Sequence, residues 1–340
     1  MAKQDSKLTL AKLAELAGVS TSTASRALKD NPLIKQQTRD KIKALAIQHN
    51  FSINAAASRL RTQKTHVIAV ILNIVEHTEQ SVTDPFLLKI VGDLNMALNA
   101  RGYEMLLSNS FMATDDWANY FINSQRADGM IVIGQGKTTA KIDAAAAAGA
   151  PLVVWGEPKT PSRYPVIGGD NLFGGHQSTW YLLNHGCERI LFLGDPEHAE
   201  MKQRHQGYLN ALNEKQVTPD PRLTAAIDIT SKAAYDYVNQ HILEHGLNFD
   251  GIVCVSDMIA LGALKALKER YVNIPQDVSI VGYDDIALAE LMHPALTTIR
   301  QNTQQAAEMM VSELIKQFEG YSGASQVVDT RLIVRRSTAQ

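Results

Sequence analysis

Cysteine is scarce: only Cys187 and Cys254 occur in 340 residues. Two cysteines without metal-type spacing imply neither a disulfide framework nor a cysteine metal site, and a reducing compartment fits. Long apolar runs are missing too. No stretch approaches the length of a membrane span, and Met1 to Leu8 is polar, without the apolar core of a secretory signal. These absences predict a cytoplasmic protein. Catalytic machinery is also lacking. His198 and His205 show no nucleophile–base order, and no triad or paired-carboxylate site assembles. Gly134-Gln135-Gly136-Lys137 lacks P-loop spacing and reads as a turn. The loop from Asn73 to Asp84 carries Glu76, His77 and Glu79, and reads as a solvated flap over a cleft rather than a metal site. No enzymatic activity, cofactor or metal is expected.

What is present is enough apolar residue, 45% of the chain, for globular cores, at a length that suggests two or three compact units. The net charge of −2 conceals an asymmetry. Residues 1–64 hold 12 Lys and Arg against 4 Asp and Glu, while the remainder holds 21 against 31. A basic head on an acidic body is the footprint of a nucleic-acid contact confined to one end.

The head patterns as helices. Thr9 caps the first, with Lys12 where a capping box would want Glu, so Thr9 works without the reciprocal bond. Leu10, Leu13, Ala14, Leu16 and Ala17 follow at helical spacing. At Gly18-Val19-Ser20, Gly permits the left-handed turn, Val19 plugs the core and Ser20 caps the next helix. Thr21 to Leu28 forms that second helix, and Asn31-Pro32 ends it. A third helix runs from about Gln37 to His49, with Ile42, Leu45 and Ala46 on one face. Two short helices around a Gly-containing turn, then a third, is the helix-turn-helix pattern. Ala14, Ala17 and Ala24 allow close approach of the first two. The second helix is expected to expose Thr21, Ser22, Ser25 and Arg26 to bases and phosphates, with Arg26 able to bond guanine bidentately.

Ile53 to Thr65 reads as a connector helix capped by Asn54. About two turns of helix cannot stand alone in water. It carries Arg59, Arg61 and Lys64 and one bulky apolar residue, Leu60, so it should order only against something both anionic and apolar. The DNA minor groove is such a receiver.

Beyond it, His66 to Leu72 is a continuous apolar run, the mark of a parallel strand buried on both faces. Strand–helix alternation continues. Strands are expected at Tyr103–Leu107, Met130–Ile133, Leu152–Trp155, Ile190–Leu193, Ile252–Val255 and Ser279–Tyr283. Helices are expected at Phe86–Ala100, Trp117–Ser124, Lys141–Ala148, Gly174–His185, His205–Glu214, Ala233–His245 and Ile259–Arg270. A final strand is expected from Val327 to Val334. Such alternation means doubly wound α/β sheets. Two fit the length, with a break near Val166–Asn171, and ligands of such folds bind between the halves at strand carboxyl ends.

The stretch Thr9 to Leu28, with Thr38-Arg39 opening the third helix, resembles the headpiece of the lactose/galactose-repressor family. Asn54 to Arg61 resembles that family's hinge helix, although Ile53 stands where the family usually has Pro. Asp84-Pro85-Phe86, Arg126 to Gly129, Gly169 to Asn171 with Gly174-Gly175, Ser256-Asp257, Ser279 to Asp285 and Pro294 to Gln301 resemble, in order, its effector-binding core. The resemblance implies a helix-turn-helix headpiece (1–52), a hinge helix (53–65) and a periplasmic-binding-protein-like core of two doubly wound parallel-sheet subdomains (66–340). The subdomains would take about 66–168 with 298–326, and 169–297 with 327–340. It implies base contacts by Thr21, Ser22 and Arg26; Thr9, Ser20 and Ser25 complete the expected DNA-contact set of the head. In the hinge it implies Asn54, Ala57, Arg59, Leu60 and Arg61, with Leu60 wedged into a minor-groove step.

For the effector, Asp284 and Arg204 match the family's binding Asp and Arg. Phe86 and Trp155 could stack on a sugar face. Ser256, Asp257, Gln301 and Glu157 complete the candidates, Asp257 with a helix-capping role as its rival reading. The expectation is a homodimeric transcriptional repressor of carbohydrate genes on a pseudo-palindromic operator, released by a mono- or disaccharide. A purine or other non-sugar effector on the same fold, or a sugar-binding protein without a DNA role, remains the alternative.

Overall fold

The computed structural model describes residues 8–28, 30–51, 64–74, 80–111 and 114–339. The chain divides into two compact units, Met1–Lys64 and Thr65–Gln340.

The first unit packs Leu10–Ala17 (α1), Thr21–Leu28 (α2) and Gln36–Gln48 (α3) around Leu13, Ala17, Ala27, Ile42 and Ala46. Thr9 Oγ1 accepts the Lys12 N–H at 3.3 Å, and Lys12 itself pairs with Glu15 at 2.9 Å. Gly18 ends α1 at φ 71°, where a β-carbon would be strained. Ser20 Oγ accepts the Thr23 N–H at 3.2 Å and so caps α2. Val19 packs against the core between them.

The second unit holds two six-stranded sheets. Val67–Leu72 (β1), Glu104–Asn109 (β2), Gly129–Ile133 (β3), Leu152–Trp155 (β4), Val166–Gly169 (β5) and Gln326–Val328 (β11) make the first. It is parallel throughout, in the order β11-β5-β4-β3-β1-β2. Ile190–Leu193 (β6), Thr224–Ala225 (β7), Gly251–Cys254 (β8), Ser279–Asp284 (β9), Thr297–Gln301 (β10) and Thr330–Ile333 (β12) make the second. Its order is β12-β10-β9-β8-β6-β7, with only β12 antiparallel to its neighbour. Every residue of β1 is buried, as a run without polar alternation requires.

Helices cover the sheets: Pro85–Asn99 (α4), Ala140–Ala147 (α5), Asn171–Asn184 (α6), Ala199–Glu214 (α7), Ser231–His245 (α8), Asp257–Glu269 (α9), Ala287–Leu291 (α10) and Thr303–Phe318 (α11). Asp84 caps α4 by accepting the Phe86 and Leu87 N–H groups, and Pro85 takes the first helical position, where no N–H is needed. The chain passes between the lobes three times, at Asp170, Asn302 and Asp329.

Three expectations need correction. Val327 to Val334 is two strands: β11 joins the first sheet, and β12 joins the second after Asp329. Trp117–Ser124 is a π-helix over Ala118–Asn123, which leaves Trp117 and Phe121 both buried in the core. The helix expected from His205 begins six residues earlier, at Ala199. Both cysteines are free and buried. Among the described residues, no helix is long and apolar enough to cross a membrane.

Candidate functional site

In each sheet the strand order reverses once, between β1 and β3 in the first and between β6 and β8 in the second. Such reversals splay the connecting loops apart and open a crevice at the strand carboxyl ends. Both crevices contribute to one cleft of about 810 Å³, counting its open mouth. Leu72, Asn73 and Ile74 at the end of β1 and Ile133, Gly134 and Gly136 at the end of β3 supply one wall; Val255 and Ser256 after β8 supply the other.

Asp284 ends β9 and lines this cleft, 6% exposed. Burial pushes its carboxyl well above the usual carboxylate range, against the pull of the Arg204 charge and of a hydrogen bond from Gln301. That bond runs from Gln301 Nε2 to Asp284 Oδ1 at 2.7 Å, and Gln301 Oε1 is buried without a partner. An unsatisfied buried acceptor beside a desolvated carboxylate calls for donors from outside the chain. Asp284 sits at φ 112° and Asp285 at φ 54°. Conformations of this kind cost about 1–3 kcal/mol and persist only when neighbours hold them. Arg300 Nε and Arg335 Nη2 do so, binding Asp285 at 2.6 and 2.7 Å.

Arg204, also in the lining, is built from the helix crossing beneath it. A β-carbon on Gly175 would lie 2.1 Å from the Arg204 carbonyl oxygen, and one on Gly207 would lie 2.2 Å from that of Leu172. Glycine at both places brings α6 and α7 into backbone contact. Arg204 Nε then donates to Asn171 Oδ1 at 2.9 Å and Nη1 to the Val255 carbonyl at 2.5 Å, with the guanidinium 3.6 Å above the Tyr283 ring centroid. Asn171 Nδ2 in turn donates to Glu157 Oε2 at 2.9 Å.

Six of the eight residues singled out for the effector therefore line one cleft: Phe86, Trp155, Arg204, Ser256, Asp284 and Gln301. Phe86 and Trp155 stand 6.1 Å apart with rings tilted by 44°, and Ser256 also caps α9. Two do not line it. Glu157 is 1% exposed, turned onto Asn171 and the Lys159 N–H, and reaches Arg204 only through Asn171. Asp257 is wholly buried, accepting from Thr298 Oγ1 at 2.6 Å and the Ile286 N–H at 2.9 Å. It sits at the first position of α9, after the cap at Ser256. The reading missed Asp84, His198, Glu200 and Met201, all in the lining. The last three lie just before or within the first turn of α7, where polar cleft-facing residues interrupt the apolar period. Gln80 of the flap lines the cleft; Glu76, His77 and Glu79 lie outside the described residues. Among the described residues no cluster is arranged to hold a metal.

In the head, Thr9, Ser20, Thr21, Ser22 and Arg26 are exposed. Ser20 Oγ lies 2.9 Å from both Ser22 Oγ and Thr23 Oγ1, so the start of α2 presents a small hydroxyl cluster. Ser25 is a correction: it is 8% exposed. At about 100° per residue it lies roughly 100° from Ala24 and 160° from Ala27, so the apolar stripe of α2 alone does not account for its burial. Asn54, Ala57, Arg59, Leu60 and Arg61 lie outside the described residues.

Comparison with known proteins adds the context. Residues 9–54 match the family described as bacterial regulatory proteins, lacI family, and residues 179–338 match the periplasmic binding protein-like domain. The HTH-type transcriptional regulator RegA of Clostridium saccharobutylicum is 28% identical, over 96% of this chain and 98% of its own. The HTH-type transcriptional repressor CytR of Escherichia coli (strain K12) is 28% identical, over 99% and 98%. A structure of the transcriptional regulator CelR complexed with cellobiose superposes with a TM-score of 0.71 at 26% identity, covering 97% of this chain and 99% of that one. A lac repressor dimer bound to operator and the anti-inducer ONPF gives 0.83 at 23% identity, covering 98% and 100%. Head signature, two-lobed core and relatives agree: the chain joins a head of the lacI family of bacterial regulatory proteins to a periplasmic binding protein-like core, and the proteins it resembles along its length are HTH-type transcriptional regulators.

Proposed function

We propose that this protein is a sequence-specific DNA-binding repressor of carbohydrate-utilisation genes. Two copies bind a pseudo-palindromic operator through their heads, and a small sugar in the cleft releases them. The observation that carries the sugar half is the convergence of the bonded pair Asp284 and Gln301, of Arg204 and of the rings of Phe86 and Trp155 on the lining of one cleft. A carboxylate and an amide oxygen accept from hydroxyls, a guanidinium donates to ring and hydroxyl oxygens, and aromatic faces cover the apolar C–H side of a pyranose. The DNA half rests on the hydroxyl cluster and Arg26 along α2, on a head that carries the chain's positive surplus. Cellobiose in the related CelR supports the ligand class. Thr9, Ser20, Thr21, Ser22 and Arg26 remain the DNA-contact set of the head. Asn54, Ala57, Arg59, Leu60 and Arg61 are that of the hinge, with Leu60 as the wedge.

The test is fluorescence anisotropy of the full chain on DNA from upstream of its own gene, with panels of sugars and purines. A sugar that releases the DNA is expected. In Asp284→Ala the same DNA affinity should persist while the sugar no longer acts. Release by a purine alone, or an Asp284→Ala variant that still lets go at ordinary sugar concentrations, overturns the assignment.

A further inference from the structure

The cleft's charges say what it can hold. Its lining includes three carboxylates, Asp84, Glu200 and Asp284, against one guanidinium, Arg204. His198 also lines it, and burial lowers the imidazole's pKa, which favours the neutral ring. Lys137, next to Gly136 of the wall, is turned to the other lobe, where Asp195 at 2.7 Å and Glu197 at 3.3 Å neutralise it. Arg204 has two of its five N–H groups on Asn171 and Val255 and its face on Tyr283. It can donate to a ligand oxygen, but it does not outweigh three acids.

Glu200 and Arg204 are four residues apart in α7, so both reach the cleft from one helix face. The Gln135 N–H, from the opposite lobe, acts on the Glu200 carboxyl and lowers its pKa against the effect of burial. That acid therefore lies where the two lobes meet. Burial raises the pKa of all three acids, so the cleft penalises negative charge and favours a partner that donates hydrogen bonds. Sugar hydroxyls are donors. A phosphate dianion offers only acceptors and a like charge, in a place where low dielectric magnifies repulsion.

We propose that the cleft takes an uncharged polyhydroxylated ligand and rejects the phosphorylated form of the same ligand, and that Glu200 sets this discrimination. The inference rests on the sugar reading above and narrows it. The class of reaction that supplies the effector is then hydrolysis or uptake of a free sugar, not a phosphorylating transfer.

The test is isothermal calorimetry and thermal shift on the full chain with matched pairs: glucose and glucose 6-phosphate, ribose and ribose 5-phosphate, cellobiose and maltose with their 6-phosphates. One neutral sugar should bind, with its phosphate at least about tenfold weaker, the scale of one like charge in a partly desolvated site. In Glu200→Gln, which keeps the shape, that ratio should shrink several-fold. Operator binding by the variant checks that it is folded. A phosphate that binds as tightly as its parent sugar overturns the proposal and leaves the sugar reading standing. An unchanged ratio in Glu200→Gln overturns the role of Glu200. If neither form of any sugar binds while a purine does, the sugar reading fails and this inference falls with it.

Discussion

Asp257 is a carboxylate whose neighbours in sequence suggest a ligand and whose neighbours in space do not. Burial pushes its pKa up to about 7, beyond what the Thr298 hydroxyl and the Ile286 N–H can offset. The folded-state value therefore lies above the unfolded value near 3.8, so folding favours the protonated acid. That contribution is complete below about pH 4 and is lost as pH rises through about 7. An Asp257→Asn variant keeps the shape and cannot ionise. Wild type should lose stability relative to it between pH 5 and pH 8, on the order of 2–4 kcal/mol. Urea midpoints of both proteins at the two pH values measure this, and parallel curves would show that the acid is solvated after all. Buried acids of this sort explain where sequence reading of the site stopped. Asp284, at a strand end after an apolar run, was legible as a cleft carboxylate. Asp257 and Glu157 sit at equally suggestive strand and helix ends, yet their side chains turn inward onto Thr298 and Asn171, partners more than ten residues away. Residue type and place along a strand do not encode that turn.

At the scale of elements, the crossing of α6 and α7 sets Arg204. A β-carbon on Gly207 would meet the Leu172 carbonyl oxygen at 2.2 Å and the His176 nitrogen at 2.5 Å, both backbone atoms of α6. Neither can swing aside as a side chain would. Gly207→Ala should therefore part the helices, cost about 1–3 kcal/mol as overpacking does, and weaken sugar binding by moving Asn171 away from Arg204. Urea unfolding and sugar titration of the variant separate the two effects. Lost stability with wild-type sugar affinity would mean that Arg204 does not depend on the close approach. The same elements show what could be read in advance. β1, β4 and β6 were legible because each is a short apolar run buried on both faces. β10 carries Thr297, Thr298 and Arg300 and has no such run; its threonines are buried on Thr338 and Asp257, some 40 residues distant in sequence. The single strand expected from Val327 to Val334 divides because β11 pairs with β5 and β12 with β10. Strand partners are long-range facts, and a continuous pattern across Asp329 does not reveal that the chain changes sheets there. The early start of α7 was hidden for a functional reason. One side of its first two turns lines the cleft, so Glu200 and Arg204 stand where an amphipathic helix elsewhere carries apolar residues.

For the whole molecule, the two halves of the function must be tied by a single free energy. The positive surplus of residues 1–64 places DNA affinity in the head, and the cleft lies in the acidic remainder. The sequence of the head runs into the core at Thr65. There the core grips the chain: the Asp128 carboxylate accepts from the Thr65 N–H at 2.7 Å, the Thr65 hydroxyl at 2.9 Å and the His66 N–H at 2.8 Å. Asp128 leads directly into β3 and Thr65 into β1, and the far ends of these two strands form a wall of the cleft. A rearrangement of the lobes around a sugar can thus reach the connector through two strands and one carboxylate. If sugar lowers operator affinity by some factor, linkage requires operator to lower sugar affinity by that same factor. Couplings of this kind are typically about 1–3 kcal/mol, or roughly 5–150-fold. Calorimetric titration of sugar into the free protein and into its operator complex should give dissociation constants in that ratio, matching the ratio of operator affinities with and without sugar. In Asp128→Ala, which frees Thr65 and His66 and leaves the cleft wall in place, sugar should still bind the free protein while both ratios fall together toward one. Ratios that stay large in this variant would mean that the signal leaves the core by another route. Ratios that disagree with each other in the wild type would mean that sugar and operator do not act on one equilibrium.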